Sequence, residues 1–222
     1  MTDGIAATSP PVVGHDFFAR ARARLRLDVP AALHDLKAPA TRGDLDVDPA
    51  LWERAGVTAT RPAAVLVPVV DRPEPTVLLT QRTAELPSHA GQVAFPGGKM
   101  DPHDATPAAA AMREAAEEIG LARSAIEPIG YLDLYLTFSG FRIVPTVARI
   151  APDYRLTLNP SEVADAFEVP LAFVMDAQNH ALHSRDWKGI KRRYYAMPFG
   201  ERYIWGVTAG ILRNLYERIY GA

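Results

Sequence analysis

The chain contains no cysteine. That absence excludes disulfides, thiolate zinc sites, iron–sulfur clusters and cysteine nucleophiles together. A long apolar run is missing too. The longest, Ala63 to Val70, is broken at Pro68 and falls well short of the ~18 residues a membrane span needs. No compact apolar stretch with a small-residue cleavage site stands near the N-terminus, so the expectation is a cytoplasmic protein without a membrane partner. Neither sign of charge prevails. The formal net charge is −2, which gives no global attraction to nucleic acid. What remains is ordinary globular material: 222 residues, 48% hydrophobic and 23% charged, enough for one decorated domain with a substantial core.

The charge is unevenly placed. Asp101, Asp104, Glu114, Glu117, Glu118, Glu127 and Asp133 make the centre acidic, whereas Arg185, Lys188, Lys191, Arg192, Arg193, Arg202, Arg213 and Arg218 make the C-terminal part basic. Such a chain could hold a cation beside a polyanion, or the two regions could simply compensate each other at the surface. Phe17 to Leu27 reads as a helix with solvated arginines, and Ala38 to Asp48 as a polar linker. These observations predict an N-terminal helical arm and linker over 1–55 and a main domain over 56–222. Strands are expected at Ala63–Val70, Thr76–Gln81, Ile126–Leu136, Ile143–Ile150, Leu171–Met175 and Arg192–Met197, with a closing helix over Tyr203–Tyr220. Strands interleaved with helices imply an α/β fold with a mixed sheet between helices.

The most informative helix begins at Thr106-Pro107, an N-cap and first-turn pair, and ends at Gly120. At 100° per residue Glu117 lies about 60° to one side of Glu114 and Glu118 about 40° to the other, so three carboxylates share one arc. Ala109, Met112, Ala116 and Ile119 form the stripe expected to face the core. Arg113, four residues before Glu117, offsets the crowding of like charge. Hard divalent cations such as Mg²⁺ want several oxygen ligands, and this arc supplies them. A solvated glutamate face is the other reading of the same residues. Gly97-Gly98 stand shortly before the helix and allow backbone N–H groups to approach a phosphate. The pattern is not a P-loop, since Val93 occupies the position where one needs glycine. His180 and His183 have zinc-like spacing but lack an obvious third ligand.

Gly98 … Arg113-Glu114-Ala115-Ala116-Glu117-Glu118-Ile119-Gly120-Leu121 resembles the Nudix box, the signature of hydrolases acting on nucleoside diphosphates linked to another moiety. Asp104 stands where that box has its first glutamate, and eight residues rather than seven separate it from Arg113. The form Gly-Gly-Lys-x-Asp-Pro-x-Asp at Gly97 to Asp104 is similar to the coenzyme A diphosphatase branch. An upstream motif of that branch is matched by Leu78-Leu79-Thr80-Gln81-Arg82 and by His89-Ala90-Gly91-Gln92-Val93-Ala94-Phe95-Pro96, with Thr83 and Pro87 departing from it. Pro87 stands where the branch typically has arginine.

The resemblance implies a Nudix α/β/α sandwich and hydrolysis of coenzyme A to 3′,5′-ADP and 4′-phosphopantetheine. It implies Mg²⁺ or Mn²⁺ as cofactor, with Glu114, Glu117 and Glu118 as metal ligands and Arg113 orienting them. Glu162, in Asn159-Pro160-Ser161-Glu162-Val163, is the first candidate for the general base, with capping of a short helix as its structural alternative; otherwise one helix glutamate, with Glu117 as the catalytic candidate, serves as both ligand and base. Arg82 and His89 are candidates for substrate phosphates, with Gly97 and Gly98 beside them. Lys188, Lys191, Arg192 and Arg193 could reach a 3′-phosphate or form a solvated loop. The expected partner is a CoA-like small molecule, and the resemblance also allows a homodimer. The alternatives are another substrate (NADH, ADP-ribose or an oxidised nucleotide) and a silent domain that binds a nucleotide or a protein.

Overall fold

A computed structural model of the chain describes residues 16–38, 40, 42–49, 59–187 and 190–221. Helix α1 (Asp16–Arg24) and the short strand β1 (Arg42–Gly43) come first. Strands β2 (Arg61–Val70) and β3 (Thr76–Arg82) form a hairpin, and β4 (Val93–Ala94) and β5 (Gly97–Lys99) lead to helix α2 (Pro107–Ile119). Next are β6 (Ile126–Tyr131), β7 (Tyr135–Leu136), β8 (Phe141–Ile150), β9 (Val163–Pro170) and the one-turn helix α3 (Leu171–Val174). A ribbon of β10 (Ala181–Trp187), β11 (Ile190–Phe199) and β12 (Arg202–Trp205) precedes helix α4 (Val207–Ile219).

Among the described residues the large sheet runs β1-β7-β8-β2-β3-β4, with β5 on β2, β6 on β8 and β9 on β3. It is mixed: β2 is parallel to β8 from Arg61↔Phe141 to Val70↔Ile150 and antiparallel to β5. Ala64, Leu66 and Val70 of β2 pack with Ala110, Ala111, Ala115 and Ile119 of α2. Ala63, Val67 and Val69 point the other way, into a core shared with Phe17 and Ala21 of α1 and with Ile211, Leu212 and Leu215 of α4. This is the expected α/β/α sandwich. Burial on both faces is why β2 reads as an apolar run with no polar alternation.

The arginines of α1 are engaged rather than merely solvated. Arg20 pairs with Asp16 at 2.7 Å and Arg22 with Glu127 at 2.9 Å. Arg24 donates to the carbonyls of Arg218 and Gly221, beside the last turn of α4, where positive charge suits the helix dipole. Buried Arg142 of β8 donates to the carbonyls of Ala32, Ala59 and Asp35, which ties the segment after α1 to the sheet. The boundary expected at 55/56 lies outside the described residues.

Several elements differ from expectation. Leu171–Val174 is helical, because Pro170 ends β9 and the chain then closes a turn from Met175 N–H to Leu171 C=O at 2.9 Å. The single strand expected over Ile126–Leu136 is two strands, with a register shift between Pro128 and Gly130 where Gly130 lies against Leu25. The closing helix starts only at Val207; Tyr203 belongs to β12, and Gly206 at φ 62° makes the corner. The apolar pattern does not mark strand β9, because Asp165 and Glu168 interrupt it. Arg202 pairs with Asp165, and Arg72 with Glu168 at 2.7 Å.

Candidate active site

Helix α2 is capped as its sequence predicts. Thr106 Oγ1 accepts from Ala109 N–H at 3.1 Å, Pro107 occupies the first turn, and Gly120 takes the left-handed conformation at φ 64°. Its rotation is different. The buried row is Ala108, Ala111, Ala115 and Ile119, whereas Ala109 and Met112 are half-buried and Ala116 is exposed. Alanines surround this helix, so its sequence leaves several faces equally suited to the sheet. The rotation adopted sorts the carboxylates: side-chain exposure is 4% for Glu118, 16% for Glu114 and 56% for Glu117.

Strand β5 pairs with β2 through Val65↔Gly97 and Ala64↔Gly98, which carries both glycines past the helix. Gly97 N–H donates to the Glu118 carboxylate at 3.3 Å. A Cβ on Gly98 would stand 2.7 Å from the Glu114 carboxylate. The glycines thus admit the carboxylates to the sheet edge. A Gly98→Ala substitution is expected to push the Glu114 carboxylate aside and lower kcat about tenfold or more. Because the obstructed group is the end of a flexible side chain, stability should change by less than about 1 kcal/mol. Steady-state kinetics and thermal melts check this; unchanged kcat would separate Glu114 from the chemistry.

Arg113 organises the cluster. Its Nη1 donates to Glu114 at 2.9 Å and to Glu117 at 3.0 Å, while Nη2 and Nε clasp Asp104 at 2.9 and 3.2 Å. Nη2 also reaches the Lys99 carbonyl at 3.2 Å. The guanidinium holds the Asp104 carboxyl below its ordinary pKa. Asp104 thus shares the guanidinium with Glu114 and Glu117, a contact that its place six residues after Gly98 does not by itself reveal.

The other carboxyls are pushed the other way. Burial raises the Glu114 pKa despite Arg113. Burial, with the charges of Glu114 and Glu162 added, pushes Glu118 up to about 7 against the pull of Gly97 N–H and Arg82. Arg82 Nη1 stands 3.9 Å from Glu118, and its Nε is buried without a partner. His89 lies in an exposed turn at φ 57°, with Nδ1 3.0 Å from Gln92 Oε1.

Glu162 arrives on the segment between β8 and β9. Thr157 N–H donates to the Ile119 carbonyl at 2.9 Å and Asn159 N–H to the Glu118 carbonyl at 2.8 Å, which satisfies carbonyls at the end of α2. No helix follows for Glu162 to cap; the chain enters β9. The structure therefore brings together Arg82, Gly97, Gly98, Arg113, Glu114, Glu118 and Glu162, with Glu117 at the exposed rim. It leaves His89 on the neighbouring loop.

The remaining basic and histidine candidates lie elsewhere. His180 Nε2 bonds the Val174 carbonyl at 2.9 Å and His183 Nδ1 the Tyr203 hydroxyl at 2.6 Å, so they share no ligand position. Arg192 is 3.8 Å from Asp44, Lys191 and Arg193 are exposed on β11, and Lys188 lies outside the described residues.

Among the described residues no three acidic or histidine side chains converge at ligand spacing, and Glu114 and Glu117 are both bonded to Arg113. The donor set nonetheless suits a hard divalent cation. It is all carboxylate oxygen, and two of its members are held in a buried site that penalises their ionisation.

The sequence model of the NUDIX domain family matches residues 60–192. The chain is 43% identical over 159 residues to "Uncharacterized Nudix hydrolase NudL" of Escherichia coli (strain K12), covering 72% of this chain and 83% of that one. Among solved structures, DR0079 from Deinococcus radiodurans aligns at a TM-score of 0.47 and 12% identity, covering 81% of this chain and 88% of that one. A C. elegans Ap4A hydrolase binary complex aligns at 0.43 and 22% identity, covering 49% of this chain and 80% of that one.

Proposed function

Since this chain belongs to the Nudix hydrolase family, which acts on nucleotide diphosphate derivatives, we propose that its substrate is coenzyme A or an acyl derivative, cleaved to 3′,5′-ADP and (acyl-)4′-phosphopantetheine. One observation carries this reading: the upstream motif forms part of the same site as the carboxylates. Arg82 faces Glu118, Arg82 N–H donates to the Gln92 carbonyl at 3.0 Å, and Thr83 N–H donates to the Glu162 carbonyl at 3.0 Å.

In this reading Glu114, Glu117 and Glu118 would hold Mg²⁺ or Mn²⁺, which would supply neutralisation of the pyrophosphate charge and a more acidic water. Glu162 accepts a proton from the attacking water as the water oxygen bonds to one phosphorus; the bond from that phosphorus to the bridging oxygen breaks, and the departing phosphate carries the bridging oxygen away and takes the proton back from Glu162. Arg82, with an unpartnered Nε, meets a substrate phosphate, and His89 meets a second one from the adjoining loop. Pro87, where the branch typically has arginine, favours a second reading: the same chemistry on NADH or ADP-ribose.

Product analysis by mass spectrometry tests both. CoA, acetyl-CoA, NADH and ADP-ribose are each incubated with Mg²⁺, with Mn²⁺ and with chelator, alongside Glu117→Gln. The expected result is metal-dependent release of 3′,5′-ADP and 4′-phosphopantetheine, lost in the variant. Cleavage confined to NADH or ADP-ribose transfers the assignment to the second reading. No turnover of any substrate leaves a binding domain.

A further inference from the structure

Asn159 carries no expected role, yet it makes more bonds around Glu162 than any pattern in the sequence suggests. Its backbone N–H donates to the Glu118 carbonyl at 2.8 Å, and its own carbonyl accepts from Glu162 N–H at 3.0 Å and Val163 N–H at 2.9 Å. Its side-chain Oδ1 accepts from Ser161 N–H at 3.2 Å and Ser161 Oγ at 2.7 Å, a local turn of the kind asparagine favours. With Oδ1 committed to two donors, the amide orientation is set, and Nδ2 donates to Glu162 Oε1 at 3.2 Å.

We propose that Asn159 is the positioning residue for Glu162, fastening that carboxylate to the end of α2 so that it faces the Glu114/Glu118 cluster. The inference rests on the reading of Glu162 as general base. The anchoring is twofold: the backbone of Asn159 fixes the loop to the helix, and the side-chain amide fixes the carboxylate to the loop. Only an amide does both, because the fork needs an acceptor for Ser161 and a donor for Glu162. Aspartate keeps the first and reverses the second, setting a carboxylate against a carboxylate. Asn159→Asp is therefore a nearly isosteric probe that retains the turn while removing the Glu162 contact.

The test compares wild type, Asn159→Asp, Glu162→Gln and the double variant, each with CoA and Mg²⁺, or with ADP-ribose where CoA is not cleaved. Asn159→Asp is expected to melt close to wild type and to lose about tenfold or more in kcat, with KM changed by less than about twofold. In the Glu162→Gln background the same substitution should cost nothing further, since it acts only through the carboxylate already removed. Asn159→Ala serves as the second variant: it loses the turn as well, so Asp should restore its melting temperature without restoring kcat.

Two outcomes overturn the positioning role alone: Asn159→Asp leaving kcat unchanged while Glu162→Gln is impaired, or equal losses from Asn159→Asp in both backgrounds. A Glu162→Gln loss under about tenfold (1.4 kcal/mol) overturns the base assignment and this inference together. So does the absence of turnover by wild type.

Discussion

Glu118→Gln is expected to lose at least about a hundredfold in kcat at pH 8 and yet, without metal, to unfold at a higher temperature than wild type. The two effects have one cause. The Glu118 side chain is 4% exposed, accepts from Gly97 N–H, and shares its surroundings with the charges of Glu114 and Glu162. Its pKa is about 7, above the ordinary 4.5 of a glutamate. A raised carboxyl pKa means that the folded state prefers the protonated form. The stability this gives is fully present below about pH 4.5 and is lost as pH rises through about 7. At pH 8 wild type therefore holds a buried charge that costs roughly 3 kcal/mol, and glutamine removes it while still accepting from Gly97.

Metal reverses the ranking. A ligand that binds only the folded state at about a thousand times its Kd adds about 4.1 kcal/mol, more than the buried charge costs, and the variant would gain little of it. Thermal melts at pH 5 and pH 8, with chelator and with Mg²⁺, read all of this directly. A metal-free Glu118→Gln less stable than wild type at pH 8 would show that the folded state does not disfavour the Glu118 charge and that its pKa is not raised.

Removing the guanidinium should be the most destabilising change in the site. Arg113→Ala leaves Asp104, Glu114 and Glu117 without their shared partner, two of them mostly buried. Breaking such a partly buried pair from one side costs about 3 kcal/mol, because the remaining charges stay behind uncompensated. Asp104 supplies the pH signature. Its pKa is held below the ordinary 3.8, so its contribution is present above that value and lost as pH falls further. The gap between wild type and Arg113→Ala should therefore be full at pH 7 and smaller near pH 3, as measured by denaturant unfolding. Arg113→Lys keeps the charge but not the fork that clasps Asp104 while reaching Glu114 and Glu117, and should recover less than half of the loss. Full rescue by lysine would mean that charge alone, without bidentate geometry, orders the carboxylates.

Much of this site is local, and local features are legible in a sequence. Thr106-Pro107 and Gly120 bound helix α2 because capping depends on a few neighbouring residues. The relative angles of Glu114, Glu117 and Glu118 follow from the helix repeat. The spacing of Arg113 and Glu117 likewise implies the ion pair seen at 3.0 Å. The apolar run of β2 identifies a strand because a central position buries both faces.

What needed the tertiary structure is everything decided by contacts distant in sequence. Helical periodicity relates side chains to one another but does not orient them toward a sheet. With alanine on several faces of α2, only packing against Ala64 and Leu66 of β2 determines that Glu118 is buried and Ala116 exposed. The pairing of β5 with β2 decides that Gly98 meets Glu114. The closure of residues 157–163 on the end of α2 decides that Asn159 and Glu162 belong beside the carboxylates. The sequence by itself determined which groups the protein could use. The tertiary structure decided which of them are desolvated and which neighbours they share, because burial and Coulomb energies depend on distances that the local chain does not set.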